Sequence, residues 1–448
     1  MASKEHDFSV GSIPRNIISL ALPMTAAQLI NVLYSVVDRM YIGHIPDAAA
    51  NALTGVGLTF PIISIVTAFA NLFGMGGSPL FSMERGRGDL AKARKIMGNT
   101  FALLVGTGIV LTVVILLIKR PLLYAFGASD VTYPYANGYI TIYLCGSIFV
   151  MLGLGMNNFI NAQGFGRKGM MTVLLGAVTN IVLDPLFIFV LGMGVQGAAL
   201  ATVISQFISA AWAVSFLLGK RTLIRLERQS MKLDLKLVWK IVALGFSSFV
   251  MAITNSIVQI TCNSTLQAFG GDLYVGVMTI LNSVREVVST PINGVTNAGQ
   301  PVVGFNYGAG NRDRVKETFR RLLVCCIVYA GIIWAVAMFL PQVFTAIFTN
   351  DPTLAEYTQW AIRIYLALAF LMGIQVACQQ TFIALGNAKT SVFLALLRKV
   401  ILLIPLIYLL PHLLPGNQVM AVFLAEPVAD AIAVATTGTL FWRQYHKL

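Results

Sequence analysis

The sequence predicts an all-α integral membrane protein with about twelve spanning helices, arranged as two pseudo-symmetric six-helix bundles. Three observations carry this reading. Of 448 residues, 57% are hydrophobic and only 11% are charged, whereas a soluble domain carries about a quarter charged residues to cover its surface. Apolar stretches of about 18 residues or more recur along the whole length, each long enough to cross a hydrocarbon core of about 30 Å. A single offset of 222 residues lays the second half of the sequence on the first.

In chain order the apolar segments cover 14–42, 52–82, 96–118, 135–160, 170–191, 196–218, 238–266, 274–304, 321–340, 355–384, 391–411 and 418–441. An even count puts both termini on one side. Residues 1–12 are polar and mixed in charge, without the basic region and small-residue cleavage site of a signal peptide, and are expected to stay cytoplasmic. Cys145, Cys262, Cys325, Cys326 and Cys378 all fall in apolar segments. They show neither metal spacing nor a disulfide framework and read as small packing residues.

The formal net charge is +13. With cytoplasmic termini, 26 of the 31 basic residues fall in cytoplasmic pieces, including seven in the connector 219–240 and three at Lys389, Arg398 and Lys399. Only Arg39, Lys119 and Arg120 fall outside, and Arg285 and Arg363 lie inside spans. That asymmetry is a positive-inside signal, and it accounts for the net charge without any nucleic-acid partner.

The repeat aligns Gly77-Ser78-Pro79 with Gly299-Gln300-Pro301, and Gly86-Arg87-Gly88-Asp89 with Gly308-Ala309-Gly310-Asn311. It also aligns Asn157-Asn158 with Gln379-Gln380, Ala162-Gln163-Gly164 with Ala384-Leu385-Gly386, and Gly194 and Gln196 with Gly416 and Gln418. Each half therefore has six spans, with parallel topology and an axis along the membrane normal. The expected organisation is a bundle over 1–218, a cytoplasmic connector over 219–240 and a second bundle over 241–448. Pro23, Pro61, Pro79, Pro185, Pro291, Pro301, Pro405 and Pro427 lie in or near span interiors, where each removes a backbone donor. They read either as packing kinks or as points of motion. Gly74, Gly76 and Gly77, just before Pro79, read as a hinge or a close helix contact.

Ionisable groups at membrane depth are costly and ask for a reason. Asp38, Asp184, Arg285, Glu286, Arg363, Glu426 and Asp430 are the candidates. Asp184 follows Asn180 by four residues, so the carboxylate and amide share a helix face, and Thr202 of the next span is placed to approach it. Carboxylate, amide and hydroxyl oxygens are hard ligands able to hold Na+ or exchange a proton. Two plainer readings stand beside this one: Asp184 caps a broken helix, and Asp38 lies at the interface with Arg39 and His44. The repeat sets Asp38 against Ile260 and Asp184 against Leu406, so both acids are specific to the first half. Arg285 and Glu286 are adjacent and point about 100° apart. Glu426 and Asp430, at i and i+4, repel if both are charged. Arg363 is a candidate ion-pair partner for one of these acids.

The runs Ala21-Leu22-Pro23, Asn31-Val32-Leu33-Tyr34 and Val37-Asp38-Arg39-Met40-Tyr41-Ile42-Gly43 carry a family resemblance. So do Asn180-Ile181-Val182-Leu183-Asp184-Pro185 and Gly304-Phe305-Asn306-Tyr307-Gly308-Ala309-Gly310-Asn311. Over nearly its whole length the chain resembles the multidrug and toxic compound extrusion (MATE) family of cation-coupled antiporters, in its bacterial DinF/MepA-like branch. The resemblance implies export of amphiphilic organic cations from a bacterial cytoplasmic membrane by a monomeric carrier. No cofactor is implied beyond the coupling ion, H+ or Na+. The resemblance also implies a first-half cation site at Asp38, Asn180, Asp184 and Thr202. It carries substrate contacts onto Asn31, Asn157 and Arg285, with the neighbouring Glu286 as a fourth candidate. Span 7 has no carboxylate before Asp272, so the pattern of subfamilies with acids in spans 7 and 10 is not matched.

A lipid-linked precursor flippase of related architecture is the nearest alternative, disfavoured because such proteins line their cavity with several basic residues. An integral-membrane enzyme finds no support. His6 and His446 are terminal, His44 and His412 lie at loop edges, and there is no His–Glu zinc motif. Gly386-Asn387-Ala388-Lys389-Thr390 lacks the Gly before Lys that a P-loop needs. No catalytic residues are expected. The topology predicts that a cysteine introduced by Lys232→Cys reacts with an impermeant maleimide only from the cytoplasmic face; labelling from outside would overturn the orientation.

Overall fold

Hydrocarbon offers a backbone amide no partner, so a chain this apolar must close its hydrogen bonds within helices. The computed structural model describes residues 7–45, 49–348 and 351–448, all of it helix, turn or coil with no strand. Residues 1–6, including Lys4 of the cytoplasmic tally and half of the polar N-terminal segment, lie outside the described residues.

The first half contains α1 (Ile13–Ile42), α2 (Ala49–Gly57), α3 (Phe60–Gly86), α4 (Leu90–Ala125), α5 (Tyr133–Cys145), α6 (Ser147–Ala162), α7 (Gly166–Pro185) and α8 (Gly194–Leu218). A π-helical turn, Leu186–Val190, continues α7 beyond Pro185. The second half contains α9 (Leu235–Gly270), α10 (Asp272–Gly308), α11 (Arg312–Phe339), α12 (Gln342–Phe348), α13 (Pro352–Tyr365), α14 (Met372–Ala384), α15 (Ala388–Leu396), α16 (Ile404–Leu413) and α17 (Gln418–Lys447). The π-helical stretch Leu397–Leu403 joins α15 to α16.

Among the described residues nine helical segments are long and apolar enough to cross a membrane, or eleven when two bent pairs each count as one span. The pairs are α5 with α6, bent by 54°, and the segments Pro352–Tyr365 and Ala369–Ala384, bent by 51°. The remaining expected span, 274–304, forms the 37-residue α10. It is less apolar because it carries Arg285, Glu286 and a series of Asn and Gln side chains.

The 222-residue offset reappears in the geometry. α3 ends at Gly86 and α10 at Gly308, α4 begins at Leu90 and α11 at Arg312, and α6 ends at Ala162 and α14 at Ala384. Gly88 (φ 80°) matches Gly310 (φ 78°), and Gly164 (φ 92°) matches Gly386 (φ 74°). A left-handed residue closing a helix is close to a glycine requirement, so the repeat preserves its turns where it preserves little else.

The chain forms two compact units, one of Leu22–Phe249 with the residues up to Val10, the other of Gly11–Ala21 with Val250–Leu448. The dividing lines fall inside α1 and α9, the first helix of each half. Within the first unit the connector is pinned to the bundle. Asn99 of α4, fully buried, donates to the carbonyls of Ser230 (3.2 Å) and Lys232 (3.0 Å) and accepts from the Asp234 amide (2.7 Å). Gln163 likewise donates to the Ile224 carbonyl and accepts from the Ile224 amide and the Thr222 hydroxyl. The matching second-half residues, Arg321 and Leu385, have no connector to hold, which explains why the repeat diverges there.

The glycines before Pro79 are contacts. A Cβ on Gly74 would meet Gly155 Cα and Asn158 Nδ2 of α6 at 2.8 Å, and one on Gly77 would meet Phe159 Cζ at 2.9 Å. Gly76 faces the backbone of Ile241 and Gly245 in α9, and Gly245 faces the Leu72 carbonyl, so α3 and α9 touch backbone to backbone. Close approach through small residues is how helices associate where burial against lipid provides no drive. Gly245→Val therefore should destabilise the detergent-purified protein by more than ~2 kcal/mol, because the obstruction is backbone and cannot rotate away. Gly331→Ala, with open space around its Cα, should change stability by less than ~0.5 kcal/mol. The midpoints of heat-induced loss of the monodisperse peak check both, and equal midpoints would refute the contact's importance.

Candidate functional site

In the first unit, four helices converge on a polar cluster. Asn180 and Asp184 sit one turn apart on α7, both with no solvent exposure, and Thr202 of α8 is almost as deeply buried. Asn180 Nδ2 donates to Asp184 Oδ1 at 3.2 Å and lies 3.5 Å from Thr202 Oγ1. The Thr202 hydroxyl itself donates to the Ala198 carbonyl at 3.0 Å. Asp38 of α1 brings its carboxyl against that of Asp184. The expected set of Asp38, Asn180, Asp184 and Thr202 is thus one constellation.

Two residues escaped the sequence reading. Tyr34, one turn before Asp38 on α1, and Tyr139 of α5 both bring their hydroxyls to Thr202. The spacing of Tyr34 from Asp38 was a usable signal. Nothing in the sequence marked Tyr139, whose place depends on how α5 packs on α8.

The cluster is electrostatically incomplete. Asp38 Oδ1, Asp184 Oδ2 and Asn180 Oδ1 are buried and have no hydrogen-bond partner. Buried polar atoms are paired in the great majority of cases, so three open acceptors within one cluster are unusual and are compatible with a cation there. Among the described residues no group of three or more His, Cys, Asp and Glu is arranged to hold a metal ion. Carboxylate, amide and hydroxyl oxygens are donor types that suit Na+, and the carboxylates alone suit a proton. Asp184 caps no helix end, since its bonded oxygen is taken by Asn180. Arg39 sets its guanidinium 4.9 Å from the Phe60 ring centroid and acts on Asp38 through space.

Of the four residues expected to contact substrate, two lie in each unit. Asn31 is exposed on α1, and Asn157 of α6 has its Oδ1 buried, unpartnered and turned toward Gly169 of α7. Both belong to the first unit, whereas Arg285 and Glu286 belong to the second. Glu286 is exposed, and Arg285 is committed to an ion pair with Glu426 and to the Tyr365 hydroxyl at 3.0 Å.

The second unit holds its own charge cluster, and here the sequence reading needs correction. Arg398 and Lys399, assigned above to the cytoplasmic side, lie in the π-helical stretch well inside the span Ala388–Leu413. The cytoplasmic excess falls by these two residues and keeps its sign. Arg398 Nη2 binds Glu426 Oε1 at 2.9 Å and Asp430 Oδ1 at 2.6 Å, so the i,i+4 acids are bridged by a cation instead of repelling unopposed. Arg363 is exposed and pairs with neither acid. The second unit therefore has three interior basic residues, Arg285, Arg398 and Lys399, and the sequence argument against a basic lining loses that support.

Comparison with known proteins follows the same repeat. The MatE family model matches twice, at residues 23–186 and 247–409. The multidrug export protein MepA of Staphylococcus haemolyticus is 24% identical over 430 residues, covering 95% of this chain and 94% of its own. MepA of Staphylococcus aureus (strain NCTC 8325) is 24% identical over 411 residues, covering 90% and 88%. The solved structure of the MATE multidrug transporter DinF-BH is 31% identical and superimposes with a TM-score of 0.89 over 96% of each chain. A MATE crystal structure in a bent conformation gives a TM-score of 0.92 at 22% identity, over 99% of this chain and 98% of that one. Two family matches that together cover most of the sequence, and a relative above 30% identity aligned nearly end to end, place this chain in the MatE family.

Proposed function

We propose that this chain is a cation-coupled antiporter that exports amphiphilic organic cations by alternating access, with inward H+ or Na+ as the driving ion. Its relatives are multidrug export proteins, and efflux is the activity that family membership supports. The observation that carries the coupling is the set of three unpartnered buried oxygens on Asp38, Asn180 and Asp184.

The physical argument is one of compensation. Two carboxylates in contact repel by ~4 kcal/mol at an effective dielectric of about 20, and burial removes the water that would screen them. A bound proton or Na+ offsets both costs. When it leaves, the acids must separate or reach water, and α1 and α7 have room to respond. Pro23 lies within α1, while Pro185 ends the regular turns of α7 and gives way to the π-helical turn Leu186–Val190. A cation drives such a change only by its difference in affinity between the two facing states.

The alternative, a flippase for lipid-linked precursors, gains one specific observation in the interior basic residues of the second unit. Two of the three are already neutralised, however, by Glu426 and Asp430. Resistance of expressing cells to quaternary ammonium dyes supports the antiporter. Failure to confer any, combined with rescue of a precursor-flipping defect, would replace it with the flippase.

Coupling has a direct test in proteoliposomes. Asp38→Asn and Asp184→Asn should fold and bind a fluorescent cation, yet lose gradient-driven efflux at least ~10-fold, the scale of one ~1.4 kcal/mol coupling interaction. Leu406→Asn, at the position matching Asp184, should be milder. Separate pH and Na+ gradients identify the ion, and near-normal efflux in both Asp variants would move the coupling site elsewhere.

A further inference from the structure

We infer that the second unit contains a binding site for a small monovalent anion, a carboxylate or a halide, seated against Lys399. The site is a cavity of about 50 Å³ lined by Asn293, Gln375, Gln379, Gln380, Arg398 and Lys399 among others. That is room for a few non-hydrogen atoms, since one water occupies about 30 Å³ of liquid.

Charge and donor geometry select the occupant. Lys399 is only 7% exposed, and no hydrogen bond or ion pair reaches it among the described residues. Its ammonium carries three donors and no acceptor, and a buried cation without a partner is a large cost. The nearby acids Glu426 and Asp430 attract it through space, but neither forms an ion pair with it among the described residues. Glu426 Oε1 is shared by Arg285 and Arg398, and Asp430 Oδ1 is held by Arg398. When Lys399 is protonated, three basic groups stand against two acids, leaving one positive charge for an anion to balance.

Of the four amides around the cavity, Gln375 and Gln379 donate to protein acceptors, while Gln380 and Asn293 have donors to spare among the described residues. Gln380 uses its Oε1 to accept from Gln300 Nε2, which leaves its own Nε2 without a protein acceptor. The Asn293 side-chain amide makes no hydrogen bond among the described residues. Gln375 accepts from Thr437 at 2.8 Å through its Oε1, which turns its Nε2 toward Gln379. An anion at this point would accept from Lys399, Gln380 and Asn293 together. It would thereby tie α10 and α14 to the π-helical stretch that presents Arg398 and Lys399. Because the cluster Asp38, Asn180, Asp184 and Thr202 lies in the other unit, this site is separate from the proposed cation seat.

The test uses the full-length protein purified in non-ionic detergent, in gluconate buffer at fixed pH and ionic strength. The midpoint of thermal unfolding is followed as gluconate is exchanged for acetate or for chloride. A ligand that binds only the folded state raises the midpoint saturably. A saturable rise with acetate or chloride is expected, half-complete in the millimolar range. Lys399→Gln should abolish the saturable part, Gln380→Leu should raise the half-saturating concentration at least fivefold, and Arg363→Gln, at an exposed arginine, should leave it unchanged. Absence of a saturable response to either anion, or its survival in Lys399→Gln, would overturn the proposal. Should Lys399→Gln fail to fold, unchanged half-saturation in both Gln380→Leu and Asn293→Leu would overturn it equally. A response to phosphatidylglycerol nanodiscs with none to the soluble anions would overturn it too, since the ligand would then be a lipid phosphate.

Discussion

Inside a bilayer no polar group can leave its partner to solvent, and that constraint shapes this protein at every scale. It makes the whole chain helical and sends the side chains of buried Thr and Ser back to carbonyls one turn earlier, as at Thr100, Thr254 and Thr296. It also confines broken backbone to places where protein surrounds it. The π-helical stretches Leu186–Val190 and Leu397–Leu403 lie beside the two charge clusters. Wider turns of this kind are common at functional sites, because they free carbonyls and redirect side chains.

Against that background the exceptions are informative. The first unit gathers oxygens that lack donors, at Asp38, Asn180 and Asp184. The second gathers donors that lack an acceptor, at Lys399 and Gln380. One asks for a cation and the other for an anion. Both arise from a duplicated scaffold, yet neither cluster is copied: Asp184 matches Leu406, and Lys399 matches Ala177. Duplication supplied the helices and their turns, while each half acquired its own chemistry at positions the scaffold left apolar.

Packing fixes where these clusters can lie. Gly74 and Gly76 bring α3 against the backbones of α6 and α9, and Gly77 makes room for the Thr100 and Phe159 side chains, so α3 serves as the strut of the first unit. Asn99 and Gln163 fasten the connector to that same unit. With these elements held, α1 and α7 remain as the carriers of the acids, and each is interrupted by a proline.

The sequence by itself determined the helical membrane class and the two-fold repeat, and it singled out four residues that meet in the polar cluster of the first unit. Hydropathy, turn glycines and i,i+4 spacing are local properties that survive without knowledge of the fold. The Asp38, Asn180, Asp184 and Thr202 set was legible because its members lie on helices whose registers their own spacings reveal. Tertiary structure alone decided the rest. Whether Gly76 is a hinge or a contact depends on what crosses it, and Tyr139 joins Thr202 only through the packing of α5 on α8. Arg398 and Lys399 read as loop charges near a membrane face, yet a π-helical stretch turns both inward, Arg398 to Glu426 and Asp430 and Lys399 to the lining of a small cavity. Arg363, which looked like the natural partner of those acids, faces away. Which cation meets which acid is set by helix rotation and packing between segments distant in sequence, and no local pattern encodes it.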